Sequence, residues 1–159
     1  MNQQDIAQRV VVVTGAAEGI GLGIARRFAL AGYPTAMLDI QKDTLEKAAQ
    51  TLRDEGCRVV THVVDASDRG QIDATYAKIR EELGPILIVV PNAGIATFVP
   101  FTTMTTEQWD QMIRINLSGV FHSIQAAVPD MIAAKWGRII TISSHAGQSG
   151  SPMQVHYTS

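Results

Sequence analysis

Residues 10–21 are Val-Val-Val-Val-Thr-Gly-Ala-Ala-Glu-Gly-Ile-Gly, and they decide how the rest of the chain is interpreted. An unbroken β-branched run is typical of a strand covered on both faces, as in a parallel sheet. The glycines allow the backbone to turn sharply and to approach a ligand closely. The helix predicted to follow, over residues 20–30, directs its free N–H groups and its positive dipole end back at the turn. The stretch therefore predicts a site for a diphosphate.

The glycine spacing is G-x-x-x-G-x-G rather than the common G-x-G-x-x-G. Three glycines in an ordinary strand-to-helix turn are the alternative explanation, so the loop needs support from the rest of the chain.

Strand and helix patterns alternate five times along the sequence. The further strands are predicted at residues 35–40, 58–64, 86–90 and 138–142. Helices are predicted between them, one beginning with Asp43 and Glu46 as a capping box, one capped by Ser67 or Asp68, and one beginning at Thr105. This alternation predicts an α/β fold, a doubly wound parallel sheet in a three-layer αβα arrangement, with strand order 3-2-1-4-5.

Polar or glycine positions follow every predicted strand. They are Gly15, Asp39, Asp65, Asn92 and Ser144. Because ligands bind outside the carboxyl ends of parallel strands, we expect these residues to form one binding rim.

Asp39 ends the second predicted strand, 18 residues after Gly21. A carboxylate there can accept hydrogen bonds from ribose hydroxyls and would repel a 2′-phosphate. Glu18 adds a second negative charge, so the pattern favours NAD over NADP. Lys42, which could reach a phosphate, is the contrary sign, and a solvated loop aspartate is the alternative for Asp39.

Asp65 and Ala66 follow the third predicted strand. The carboxylate could accept from an adenine amino group, while a backbone amide donates to a ring nitrogen. A purely turn-forming role for Asp65 fits the spacing nearly as well.

The composition predicts a single globular domain over residues 1–159. Apolar residues make up 46% and charged residues 18% of the chain, and the net charge is −2. Nothing basic enough for nucleic acid or an anionic membrane is present, and no apolar run approaches the roughly 20 residues of a membrane span. Cys57 is the only cysteine. A reducing, cytoplasmic setting is therefore expected. No His, Cys and Asp cluster has metal-ligand spacing, so no metal site is predicted.

Taken in order, the motifs resemble those of the short-chain dehydrogenase/reductase family. They are residues 14–21, Asn92-Ala93-Gly94, Asn116, Ser143-Ser144, and Tyr157 thirteen residues after Ser144. The resemblance runs from residue 9 to residue 159. It implies a Rossmann-type fold that passes hydride between a nicotinamide cofactor and an alcohol or carbonyl.

The resemblance also implies roles for individual residues. Tyr157 would be the general acid/base, Ser144 would hold the substrate oxygen, and Asn116 would hold a water in a proton relay. The loop of residues 144–152, with Ile95 and Phe98, would line the substrate pocket. The full predicted cofactor site is Thr14, Gly15, Glu18, Gly19, Ile20, Gly21, Asp39, Asp65, Ala66, Asn92, Ala93, Gly94 and Tyr157.

One part of the family pattern lies outside this sequence. The family motif is Tyr-x-x-x-Lys, and the sequence ends two residues after Tyr157. A tyrosine with an ordinary pKa near 10 is about one part in a thousand ionised at pH 7, and lowering that pKa to about 7 takes roughly 4 kcal/mol. The lysine supplies this in the family. We therefore interpret residues 1–159 as the N-terminal part of a longer domain, with the residue 138–142 strand a bare edge and further strands missing.

The favoured function is an NAD(H)-dependent oxidoreductase acting on a secondary alcohol or ketone of 3-oxoacyl, acetoin-like or polyol-like type. The alternatives are a non-catalytic nucleotide-binding fragment without the lysine, and an NADP-dependent ketoreductase. The resemblance further implies a homo-oligomer, a tetramer or dimer paired through the long helices.

Overall fold

Five parallel strands form the centre of the molecule in a computed structural model that describes residues 6–159. The strands are β1 (Val10–Thr14), β2 (Thr35–Asp39), β3 (Val59–Val63), β4 (Ile86–Val90) and β5 (Arg138–Ile139). All neighbouring strands pair in parallel. Their order is β3-β2-β1-β4-β5, which confirms the predicted topology.

Within residues 10–159, seven α-helices accompany the sheet. They are α1 (Gly19–Leu30), α2 (Lys42–Asp54), α3 (Arg69–Glu82), α4 (Thr106–Ile113), α5 (Gly119–Ala133), α6 (Ala146–Ser149) and α7 (Val155–Thr158). A π-helical segment, Arg114–Ser118, joins α4 to α5. The long helix predicted after residue 105 is therefore helical throughout but changes its winding at this segment. π-Segments of this kind are frequent at functional sites.

The valine run explains why helices cover both faces of the sheet. All five residues of β1 are buried. Val10 and Val12 belong to one apolar cluster, with residues of α3 and α5. Val11 and Val13 belong to a second, with residues of α1 and α2. Because successive side chains of a strand point to opposite faces, one unbroken apolar strand supplies both cores of the αβα sandwich.

Asp130 fixes α5 to the rest of this scaffold. Its carboxylate accepts two bonds from Arg80 Nε, at 2.8 and 3.1 Å, and one from the Ile86 amide at 2.8 Å. One side chain thus joins α5 to α3 and to the first residue of β4. A carboxylate that accepts three bonds from two donors holds these elements in one register, because bonds to a charged group are stronger than neutral ones.

Two of the predicted helix caps are present in the structure, and a third is not. Asp68 caps α3 by accepting from the Gln71 amide, and Thr105 with Gln108 forms the predicted capping box of α4. The capping box predicted from Asp43 and Glu46 is wrong. Helix α2 begins at Lys42, which leaves Asp43 inside its first turn.

Strand β5 is shorter than the predicted strand over residues 138–142. Only Arg138 and Ile139 form ladder pairs with β4, followed by one further bond from the Ile140 amide to Val89. Ile139 and Ile140 are 45% and 40% exposed. A strand with one neighbour and little cover has few contacts to extend it, so the predicted apolar edge is present in a reduced form.

Candidate active site

Two adjoining cavities lie at the carboxyl ends of the strands. The first, of about 460 Å³, is lined by Gly15, Asp39 and Asp65 among others, and we call it the glycine-loop cavity. The second, of about 520 Å³, is lined by Ser144 and Tyr157 among others, and we call it the tyrosine cavity. Both are lined by residues 92–95. The two cavities therefore adjoin at residues 92–95, and we call the pair the rim groove.

The glycine turn brings three parts of the chain too close for side chains. Gly15 has a φ of +63°, a conformation that favours glycine. A Cβ on Gly21 would lie 2.0 Å from the Gly15 carbonyl oxygen and 2.6 Å from Asn92 Nδ2. The turn is therefore possible in this form only with glycine at position 21.

Asn92 and Thr14 fasten the end of β4 to the glycine turn. Asn92 Nδ2 donates to the carbonyl oxygens of Thr14 and Gly15, both at 3.1 Å. In return, Thr14 Oγ1 accepts from the amides of Asn92 and Ala93, both at 3.0 Å. Four bonds across 77 to 79 residues of sequence make the floor of the rim groove rigid where its two cavities meet.

The first turn of α1 has backbone donors to offer. The Leu22 amide donates to the Glu18 carbonyl at 3.1 Å, and the Glu18 side chain does not cap the helix. The amides of residues 19–21 precede this bond and have no partner within the helix. They form the anion-binding end of the helix dipole.

Asp39 is buried and held in a fixed orientation. It is 8% exposed. Its Oδ2 accepts from the Ala17 amide and its Oδ1 from the Gln41 amide, both at 3.0 Å. Each oxygen keeps a lone pair for a further donor. Lys42, the contrary sign for cofactor choice, is exposed and does not line the glycine-loop cavity.

Asp65 forms a turn and also faces the glycine-loop cavity. Its Oδ1 accepts from the Ser67 hydroxyl at 2.6 Å and from the Ser67 amide at 2.9 Å. Arg114 Nη1 lies 3.5 Å from its Oδ2. The Ser67 hydroxyl first, then the Ser67 amide and the Arg114 charge, lower the pKa of Asp65 below its ordinary value. The turn-forming alternative and the cavity-facing position are therefore both present.

Asn116, in the middle of the π-segment, holds the loop that follows β4. Its Oδ1 accepts from the Ile95 amide at 2.9 Å, and its Nδ2 donates to the Ile95 carbonyl at 2.8 Å. Nδ2 also lies 3.0 Å from Met112 Sδ. One lone pair of Asn116 Oδ1 remains free. A water that bonds to this side chain would therefore donate to Oδ1.

Ser144 and Tyr157 lie on the same wall of the rim groove. Ser144 follows β5, and its Oγ accepts from the Ala146 amide at 3.2 Å. Tyr157 lies in α7 and is partly buried, and Asn116 lines the same cavity. These three side chains come from segments far apart in the sequence, and the fold brings them to one cavity.

The neighbouring histidines point elsewhere. His156 is 2% exposed, and its Nε2 pairs with Thr97 Oγ1 at 2.9 Å. His145 is exposed and bonds to Ser149. Neither lines the tyrosine cavity, and Phe98, expected in the substrate pocket, is 68% exposed and does not line it either.

Most of the predicted site residues line the rim groove. Those in the glycine-loop cavity are Gly15, Glu18, Asp39, Asp65, Ala66, Asn92, Ala93 and Gly94. Those in the tyrosine cavity are Ile20, Asn92, Ala93, Gly94, Asn116, Ser144 and Tyr157. Thr14, Gly19 and Gly21 line neither cavity, and Thr14 and Gly21 shape the turn from behind. Gln111 and Arg114 also line the glycine-loop cavity, and no sequence motif marked them.

The family model for short chain dehydrogenases matches residues 9–159. The chain belongs to the short-chain dehydrogenase family. It is 36% identical over 149 residues to the 3-oxoacyl-[acyl-carrier-protein] reductase FabG of Thermotoga maritima, covering 94% of this chain and 61% of that protein. It is 39% identical over 139 residues to the oxidoreductase UcpA of Escherichia coli K12, covering 87% of this chain and 52% of that protein. The chain therefore spans about three fifths or less of these relatives.

Two solved structures show the same architecture. The crystal structure of NAD⁺-bound xylitol dehydrogenase matches with a TM-score of 0.91 at 31% identity, covering 96% of this chain and 59% of that one. The crystal structure of gox2181 matches with a TM-score of 0.90 at 31% identity, covering 99% and 63%. The predicted Rossmann-type fold and family are thereby confirmed.

The glycine turn supplies a direct test of this site geometry. Gly21→Ala should destabilise the protein by about 1–3 kcal/mol, because the new methyl group overlaps the Gly15 carbonyl. Gly23→Ala, on the same helix, meets nothing within 4 Å and should be neutral or stabilise by about 0.5–1 kcal/mol. Urea unfolding midpoints measure both. Equal midpoints for the two variants would contradict the described turn.

Proposed function

We propose that this protein is an NAD(H)-dependent oxidoreductase that transfers hydride between nicotinamide and a secondary alcohol or ketone. The observation that carries the proposal is the rim groove itself. Glu18, the N-cap residue of α1, and the fixed carboxylate of Asp39 line the glycine-loop cavity. Ser144 and Tyr157 line the tyrosine cavity, and residues 92–95 line both. A dinucleotide is the ligand whose two halves need such different surroundings in one groove.

The adenosine end of a dinucleotide fits the glycine-loop cavity. The unpaired amides at the start of α1 would bind the diphosphate, and the free lone pairs of Asp39 would accept the ribose hydroxyls. We assign Asp65 and Ala66, which line the same cavity, the recognition of the adenine edge. The backbone amides are donors and suit a charged diphosphate. The carboxylate oxygens are acceptors and suit the hydroxyls of a neutral ribose.

The charges in this cavity favour NAD over NADP. Glu18, Asp39 and Asp65 line it, and Arg114 is the only basic residue that does so among residues 6–159. Arg114 is already beside Asp65. A 2′-phosphate placed beside Asp39 would meet a buried carboxylate without a neighbouring cation. NADP dependence is therefore the weaker alternative.

The tyrosine cavity provides the groups for the reaction of the substrate. Bound cofactor would supply or accept the hydride. We assign Tyr157 the transfer of the hydroxyl proton and Ser144 a hydrogen bond to the substrate oxygen. Asn116 would fix the Ile95 loop and offer its remaining lone pair to a relay water. The ketone and secondary-alcohol class is supported by the names of the relatives, which include a 3-oxoacyl reductase and a xylitol dehydrogenase.

One observation about the proton relay supports a second candidate function. No lysine lines the tyrosine cavity among residues 6–159. With Tyr157 lacking a nearby cation, residues 1–159 alone would bind the cofactor and turn over poorly, as a nucleotide-binding part of a longer Rossmann domain.

Assembly and location complete the proposal. The family resemblance supports a homotetramer or dimer formed through the long helices. Leu117 and Phe121, on the π-segment and α5, are 62% and 54% exposed, as a helix-pairing surface requires. The lone Cys57 suits a reducing compartment, so we place the enzyme in the cytoplasm. No helix within residues 6–159 combines the length and hydropathy needed to cross a bilayer.

Cofactor choice is tested by titrating the protein with NADH and NADPH. The wild type should bind NADH at least about tenfold more tightly. Asp39→Asn removes the charge while keeping one acceptor, so NADH affinity should fall by about tenfold and the preference over NADPH should nearly vanish. Asp43→Asn, an exposed change outside the cavity, is the control. Tighter binding of NADPH by the wild type would reject NAD dependence.

Turnover separates the enzyme from the nucleotide-binding alternative. NADH oxidation is followed with a panel of 3-oxoacyl thioesters, acetoin and keto sugars. If the chain is an enzyme, Tyr157→Phe should lower ketone-dependent oxidation by about 10²-fold or more, and Tyr33→Phe, outside the tyrosine cavity, should leave it unchanged. NADH binding without any ketone-dependent oxidation would instead support the nucleotide-binding function.

A further inference from the structure

The glycine-loop cavity contains one cation among three carboxylates. Within the described part of the chain, Arg114 is the only basic residue lining this cavity. It is the first residue of the π-segment, two positions before Asn116. Its side chain is 53% exposed, so its position is set by polar contacts and not by burial.

Those contacts all converge on Asp65. Arg114 Nη1 donates to Ser67 Oγ at 2.5 Å and lies 3.5 Å from Asp65 Oδ2. Ser67 Oγ in turn donates to Asp65 Oδ1 at 2.6 Å. The three side chains form a closed triangle that joins the loop after β3 to the π-segment.

In this triangle, the free lone pair of the Asp65 carboxylate lies on Oδ2. Oδ1 already accepts from both the hydroxyl and the amide of Ser67. Oδ2 has only Arg114 beside it, and a carboxylate oxygen accepts two bonds. Ser67 alone would anchor one oxygen and leave the carboxylate free to turn about that anchor. Arg114 supplies the second anchor, which fixes the direction of the remaining Oδ2 lone pair.

We propose that Arg114 is a positioning residue for base recognition, which holds Asp65 so that Oδ2 accepts a hydrogen bond from the 6-amino group of adenine. The inference rests on the proposed function, since it assumes that the adenosine half of a dinucleotide lies in the glycine-loop cavity. Arg114 itself need not touch the base.

This arrangement discriminates between purines by the group at position 6. Adenine presents a donor there, whereas hypoxanthine presents a carbonyl oxygen that would face the Asp65 carboxylate. A buried or partly buried acceptor without a donor is costly, so the hypoxanthine analogue should bind less well. If Arg114 no longer fixes the carboxylate, Asp65 can turn away from that carbonyl and the discrimination should shrink.

The test compares NADH with reduced nicotinamide hypoxanthine dinucleotide, which differs from it only at position 6 of the base. Dissociation constants are measured by fluorescence titration of the full chain. The wild type should prefer NADH by about tenfold, and Arg114→Gln should reduce this preference to about threefold or less. The matched control is Arg26→Gln. Arg26 is 51% exposed and ion-paired with Glu55 outside the cavity, so its substitution should leave the preference unchanged.

The ratio of the two affinities is the decisive readout. A general loss of fold or of charge attraction weakens both nucleotides equally, whereas the loss of a positioned carboxylate changes their ratio. Thermal melts check the fold, and Arg114→Met, which also removes the charged donor, provides the same comparison should the glutamine variant be unstable. An undiminished preference in the Arg114 variants, or no preference in the wild type, would overturn the inference. Binding of neither nucleotide by the wild type would reject the proposed function and the inference with it.

Discussion

The hydrogen bonds between Asn92 and the turn after β1 are the constraint on which the rest of the site depends. Asn92 Nδ2 reaches two carbonyls of the turn, and Thr14 Oγ1 accepts from two amides at the end of β4. With Gly21 packed directly against Gly15, this junction fixes α1, β1 and β4 relative to one another. The junction is also where the two cavities of the rim groove meet. The helix terminus for a diphosphate is therefore held in a fixed relation to the end of β4, whose residues 92–95 line both cavities.

The sequence predicted the scaffold because the scaffold depends on local patterns. A β-branched run between turn signals identifies a buried strand, and alternation with helices fixes the parallel order. The predictions that were wrong concern features that depend on tertiary contacts. Asp43 had the local pattern of a cap, but Asp39 accepts from the Gln41 amide and α2 begins at Lys42. Strand β5 stops at Ile139, where its ladder with β4 ends, so the strand pattern over residues 138–142 overstated its length.

The candidate site shows the same difference between features set by local sequence and features set by tertiary contacts. Residues attached to strand ends or to a family motif could be assigned from the sequence. The long-range partners of those residues could not, because they lie 21 to 79 residues away in the chain. Nothing local marks Asn116 as the clamp on Ile95, or Arg114 as the neighbour of Asp65. Both lie on the π-segment, whose altered winding is not encoded by any proline or glycine within it. The π-segment thus serves both cavities, with Arg114 facing one and Asn116 the other.

The central claim is that one groove at the carboxyl rim of the sheet takes a dinucleotide along its whole length. A crystal structure of the protein grown with NAD⁺ measures this most directly. The account predicts diphosphate oxygens about 3 Å from the amides of residues 19–21, ribose hydroxyls on Asp39, and the nicotinamide ring in the tyrosine cavity beside Tyr157. A dinucleotide bound elsewhere, or a nicotinamide ring directed away from Ser144 and Tyr157, would contradict it.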